Sequence, residues 1–209
     1  MLSKLLKRSS THKAPDRDAY YDALASKFSD SALASGWINT HTQYSRFQVL
    51  SMLSDFTDAS VLDVGCGVGT FADYLNQENL TCDYMGIDSS SKMIETARER
   101  YPHHVFKQVD FRDDDFFISS DYVIASGLLS YRVSDPKSYL ESSIYKLFRM
   151  SSKGLAFNCL STVNDESSRL MSFDPSDVFA LCRQWTPYVS LHHHYLLNDF
   201  TVYMYPFHQ

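Results

Sequence analysis

The sequence predicts an open α/β sheet whose strands run mostly parallel, and three observations predict it. Strand-like apolar runs alternate with helical patterns between Ser60 and Cys159, as in consecutive βα units. The first run, Val61-Leu62-Asp63-Val64, breaks at once into Gly65, Gly67 and Gly69. Without a Cβ, glycines let the backbone turn sharply and let a ligand approach it closely. A second acid, Asp88, ends the next run nineteen positions beyond Gly69. That is the separation at which a βαβ unit delivers a carboxylate to the hydroxyls of a ribose.

Taken in order, the strands are expected at Ser60 to Val64, Asp83 to Ile87, Val105 to Val109, Tyr122 to Ala125 and Gly154 to Cys159. The helix after the glycines begins near Thr70. Asp88-Ser89-Ser90 caps a helix over Lys92 to Tyr101, and Ser134-Asp135-Pro136 caps one over Lys137 to Met150. Pro102 and Gly154 mark the stops. Beyond the fifth strand come a polar loop, Ser161 to Ser168, a short helix after Asp174-Pro175-Ser176, and two β-rich runs, Tyr188 to Tyr195 and Phe200 to Tyr205. These last two are close enough in sequence to form a hairpin. Before the core, Asp18 to Phe56 reads as two or three helices, with apolar residues at helical spacing in Tyr20 to Phe28 and Tyr44 to Leu50. The expected organisation is a tail over 1–15 and one domain over 16–209. That domain divides into a helical cap (16–57), a cofactor-binding core (58–160) and a C-terminal helix and hairpin (161–209).

A dinucleotide fingerprint needs glycines at its first, third and sixth places, and the sixth place here is Thr70. Asp63 argues the same way, since a carboxylate beside the loop repels a pyrophosphate and attracts an ammonium or sulfonium group. The implied ligand has a ribose and a positive charge. In these residues the chain resembles the class I S-adenosylmethionine-dependent methyltransferases, whose first motif, acid-x-Gly-x-Gly-x-Gly, matches Asp63, Gly65, Gly67 and Gly69. Three further segments continue the resemblance: Gly86 to Met93, Val109-Asp110-Phe111, and Asp121 to Ser126.

The resemblance implies S-adenosyl-L-methionine as cofactor and a Rossmann-like fold with a seven-stranded sheet, order 3-2-1-4-5-7-6. It implies Asp88 at the ribose, Met93 near the adenine, Asp110 accepting from the adenine amino group and Ser126 under the cofactor, with Ser89 and Phe111 also among the cofactor-binding residues. The helical prefix would then lie across the cofactor. Within it Trp37 and Tyr44 are candidates to wall off the sulfonium, and Arg46 to pair bidentately with the methionyl carboxylate. Simpler readings stand beside these: a structural glycine turn, Asp88 as a helix cap, Asp110 in a solvated run with Asp113, Asp114 and Asp115, core aromatics, and Arg46 at the surface.

The dense group of titratable residues is His192-His193-His194. On a strand His192 and His194 share a face. An exposed strand face is the favoured reading, set against a general base and a metal site, for which no acid or cysteine of ligand spacing accompanies them. No metal is expected. Tyr131 and Tyr195 are further pocket candidates. The segment after the fourth strand, Ser126-Gly127-Leu128-Leu129-Ser130-Tyr131, lacks the Asn-Pro-Pro-Tyr pattern of exocyclic-nitrogen methylases.

The chain has 209 residues and a formal charge of −6 without a long basic cluster, which weighs against a stable nucleic-acid complex. The short basic stretch Lys4, Lys7, Arg8 and Lys13 is followed by no apolar run that could span a membrane. Cys66, Cys82, Cys159 and Cys182 show no paired spacing and read as free thiols, pointing to the cytoplasm. Cys66, at the mouth of a helix, is either a stabilised thiolate or a small filler, the filler being favoured. The expected activity is methyl transfer to a small organic acceptor. An RNA or protein methyltransferase and a catalytically idle binding subunit of the same fold are the alternatives.

Overall fold

The computed structural model describes residues 15–28, 33, 39–163 and 168–207. The basic stretch from Lys4 to Lys13 and Trp37 lie outside the described residues. Seven strands form one sheet: β1 (Ser60–Val64), β2 (Asp83–Asp88), β3 (Val105–Gln108), β4 (Ser120–Ala125), β5 (Ser151–Leu160), β6 (Val189–His193) and β7 (Asp199–Met204). The helices bounded within the described residues are α1 (Pro15–Lys27), α2 (Thr40–Ser51), α3 (Thr70–Gln77), α4 (Ser91–Arg100), α5 (Pro136–Met150) and α6 (Pro175–Cys182).

The strand order is β3-β2-β1-β4-β5-β7-β6. The first five strands are parallel, and β7 runs antiparallel between β5 and β6. From β1 the chain winds outward to β3, then returns to place β4 on the other side of β1. That reversal opens a crevice at the carboxyl ends of β1 and β4, where ligands of such sheets bind.

Both faces of the central strands are buried, and the period of two divides their residues between two cores. Leu62, Leu155, Phe157, Val202 and Met204 face one side, with Ile144, Leu147 and Met150 of α5. Their sequence neighbours Val61, Ala156 and Tyr203 face the other, with Phe47 and Leu50 of α2, Phe71 and Leu75 of α3, and Ile94 of α4. Alternation within near-continuous apolar runs is thus what makes the sheet the middle layer.

Two expected boundaries shift. Gly154 does not stop a helix: α5 ends at Met150 and β5 begins at the next residue. Gly154 instead lies within β5, where an added Cβ would meet Leu53 Cδ1 at 3.0 Å. On the hairpin, β6 stops at His193 and His194 turns into left-handed backbone, φ 73°. His192 and His194 therefore do not share a strand face, because the alternation ends before it reaches the second of them.

Candidate active site

The glycine loop is built by the two strands that flank it. The amides of Gly65 and Cys66 donate to the carbonyl of Ile87 at 2.8 and 3.1 Å, which fastens the end of β1 to β2. The Gly67 amide then donates to Asp88 Oδ2 at 3.0 Å, while Asp88 Oδ1 accepts from the Ser90 amide at 2.9 Å. Asp88 is thus a clasp between two turns. The cap of α4 is Ser90, whose hydroxyl accepts from the Met93 amide at 3.0 Å. Gly67 and Gly69 have φ of 55° and 81°, a region that side chains with a Cβ avoid. At Gly69 an added Cβ would also meet Phe106 Cζ at 2.8 Å.

Beneath the loop, Asp63 is only 2% exposed and accepts from the Tyr84 hydroxyl at 2.8 Å. Burial pushes its carboxyl up to about 7. Burial also pushes the Cys66 thiol up, which keeps it neutral and agrees with a filler rather than a thiolate.

Two prefix helices close the crevice. The Ser89 hydroxyl donates to Asp18 Oδ1 at 3.0 Å and accepts from Arg17 Nη2 at 3.2 Å, and the Ser90 hydroxyl donates to Asp22. Asp18 and Asp22, four residues apart on α1, thus reach the corner that follows Asp88. Sequence reasoning missed these residues, although two acids at that helical spacing were a visible signal. Tyr21 of α1 packs with Met93 and Val68.

The cavity in the crevice measures about 370 Å³. Asp63, Gly65, Gly67, Asp88, Ser89, Met93, Asp110, Phe111, Ser126, Tyr131 and Arg46 all line it; Gly69 does not, acting instead as the left-handed start of α3. Arg112 holds Asp110 at 2.9 and 2.7 Å, and these hydrogen bonds keep its carboxyl below the usual range although burial would raise it. The cavity wall also carries Gln43, 2% exposed, whose Oε1 has no partner among the described residues, and the same holds for the buried Ser126 Oγ.

Several candidate side chains take partners of their own. Arg46 does use a bidentate grip, but on Asp199 of β7, with Nε to Oδ1 at 2.9 Å and Nη2 to Oδ2 at 2.5 Å, while Nη1 donates to the Thr42 carbonyl. The guanidinium edge proposed for a methionyl carboxylate is therefore occupied from within the chain. His192 and His194 are not among the residues lining the cavity: His192 packs edge-on to Tyr195, and His194 stacks on His193. Tyr195 spends its hydroxyl on Thr201 at 2.9 Å and also lies off the wall, and Tyr44 bonds Asp73 outside it. Among the described residues no three His, Cys, Asp or Glu side chains are grouped to hold a metal ion.

The family model for a methyltransferase domain matches residues 62–150. A protein of Mycobacterium tuberculosis designated a methyltransferase, Rv1506c, is 32% identical over 157 residues, which cover 68% of this chain and 90% of that protein. The chain is a class I S-adenosylmethionine-dependent methyltransferase. Solved structures agree in fold. The N-methyltransferase NodS of Bradyrhizobium japonicum WM9, in complex with S-adenosyl-L-homocysteine, superposes with a TM-score of 0.65 at 15% identity, covering 89% of this chain and 97% of NodS. Magnesium protoporphyrin IX methyltransferase of Synechocystis PCC 6803, with bound S-adenosylmethionine, gives 0.61 at 18% identity and 79% coverage of each. The cofactor of this methyltransferase is S-adenosylmethionine. Its four cysteines are free, and among the described residues no helix is long and apolar enough to cross a membrane.

Proposed function

We propose that this methyltransferase transfers a methyl group to a small organic acceptor held in the same cavity as the cofactor. The observation that carries this reading is that α1, α2 and the β6–β7 turn wall a pocket of about 370 Å³ over the carboxyl ends of the strands. The residues present fit the cofactor. Gln43 Oε1 and Ser126 Oγ are buried polar atoms without a partner among the described residues, a situation native folds reserve for ligands or water. Asp88 and Ser89 would hold the ribose, with Met93, Asp110 and Phe111 around the adenine. Gly65, Gly67, Asp63 and Gln43 would hold the amino-acid end.

When bound, the cofactor supplies a methyl group already activated on a sulfonium, so the protein's work is alignment and exclusion of water. The side chains match that division. Asp63 is engaged by Tyr84, Asp88 by loop amides, Asp110 by Arg112 and Asp199 by Arg46. Tyr131 contributes a hydroxyl on the cavity wall, 3.5 Å from Arg169 Nη1. Replacing His192 and His194 together by glutamine is therefore expected to change kcat by less than about twofold, against the 10²- to 10⁴-fold loss that removing a general base brings. Steady-state rates of the double variant check it.

The raised Asp63 carboxyl makes binding depend on pH. Below about 7 the empty site holds Asp63 protonated, and a cationic ligand favours its carboxylate, so binding releases a proton. S-adenosylmethionine affinity is expected to rise up to about tenfold from pH 6 to pH 8, and Asp63→Asn to flatten that rise. The same shift acts on folding with the opposite sense. The folded state binds this proton more tightly than the unfolded chain, so its contribution to stability falls as pH climbs from the ordinary carboxylate range toward 7 and is lost above it. Calorimetry in two buffers of different ionisation enthalpy reads the proton release directly.

The acceptor class is tested by incubating the protein with a radiolabelled methyl donor and, separately, pooled metabolites, protein extract and tRNA. Label is expected in the metabolite fraction. Label confined to protein or RNA would overturn the reading.

A further inference from the structure

Resting on the small-acceptor reading, we infer that the acceptor presents an apolar body to the enzyme, recognised by leucines at the end of the cavity away from the nucleoside-binding residues. One end of the cavity is polar, with Asp88, Ser89 and Asp110 on its wall. The other, on the side of β4, β5 and β7, carries Leu128, Leu160, Leu170, Leu196 and Leu197, beside Ser130, Asn198 and Asp199. These come from the loop after β4, the end of β5, the segment paired with Tyr131, and the β6–β7 turn.

Two of the leucines stand in solvent at the rim. Leu197 is 98% exposed and Leu170 is 38% exposed, yet both line the cavity. An exposed leucine forgoes the stabilisation that its burial would bring, and a group of apolar side chains on a cavity rim marks a place where something covers them. Their backbone supports hold them there. Tyr131 and Leu170 face one another in an isolated antiparallel bridge, with the Met171 amide donating to the Ser130 carbonyl at 2.8 Å. Opposite, the left-handed residue His194 redirects the chain after β6, and the Ser161 amide donates to the Asn198 carbonyl at 2.8 Å, fastening the turn beside β5. The Leu170 segment is thus fixed to the loop after β4 and the Leu197 turn to the residue that follows β5, and both line the proposed cofactor compartment. What covers them is the molecule that receives the methyl group.

The test is a chain-length series, 1-butanol, 1-hexanol and 1-octanol, titrated calorimetrically into the full-length protein saturated with S-adenosylhomocysteine. Affinity is expected to climb by up to about fourfold per added methylene, the equivalent of about 0.8 kcal/mol, and at least about tenfold from butanol to octanol. Leu197→Asp and Leu170→Asp should each reduce that tenfold gain to under about threefold while leaving S-adenosylhomocysteine affinity within about twofold. Leu197 is fully exposed, so its substitution leaves the fold intact. A flat series in the unaltered protein, or a steep one that neither variant changes, overturns the inference. Failure of S-adenosylhomocysteine itself to bind would count against the cofactor assignment, and the alkanol slope measured without it would still decide this one.

Discussion

Gly67→Val is expected to weaken S-adenosylhomocysteine binding by about a hundredfold or more while leaving a folded chain. Gly67 sits at φ 55°, where a β-branched residue is strained, and its amide is tied to Asp88 Oδ2 at 3.0 Å. It also lines the cavity, so an isopropyl group there either fills ligand space or pulls the loop off Asp88. Both routes damage the ribose corner and neither touches the two cores. Calorimetric titration reads the affinity, and far-ultraviolet circular dichroism reads the fold. Retained micromolar binding would remove the loop from the site. Gly69→Val should behave differently. Its new side chain meets Phe106 and Tyr101, so the main loss there is thermal stability.

Asp199→Ala is expected to destabilise the protein by about 3 to 5 kcal/mol, the range for leaving one member of a buried ion pair without its partner. For a chain of this size that is a fall in Tm of roughly 6 to 20 °C. Arg46 of α2 and Asp199 of β7 are both buried, 153 positions apart, and their pairing fixes the prefix helix to the sheet. The Tyr203 hydroxyl reinforces it, donating to the Val49 carbonyl at 2.6 Å. Burial pushes the Asp199 carboxyl up in spite of Arg46, so desolvation outweighs the attraction. It follows that Arg46→Met combined with Asp199→Leu should cost much less than either Arg46→Ala or Asp199→Ala, because the double change leaves no stranded charge. Thermal melts of the three variants beside the unaltered protein decide it. Equal losses in single and double variants would mean that packing, and not pairing, holds α2.

Much of the fold and half of the site were legible before any coordinates. β1 was read at Ser60 to Val64 and α5 to within a residue of its observed start, since periods of 2 and 3.6 are properties of a few consecutive residues. The glycine loop and Asp88 were readable for the same reason. A turn and the strand that follows it are neighbours in sequence, so spacing alone brings Asp88 to the Gly67 amide. The reading slipped where a local signal has two outcomes. Gly154 can end a helix or make room inside a strand, and the crowding by Leu53 and Tyr205 that selects the second comes from distant segments.

By itself, then, the sequence determined the order and kind of the elements, the glycine loop and the family resemblance that they carry. Only the tertiary structure decided which partner Arg46 takes, that the histidine run lies off the cavity wall, that Gln43 Oε1 is buried without a partner among the described residues, and that leucines from four segments line one cavity. The reason is physical. Element type is set by dihedral preference and periodicity over one or two turns, whereas a charge pair or a cavity wall is settled by packing between residues far apart in the chain, which no local pattern encodes.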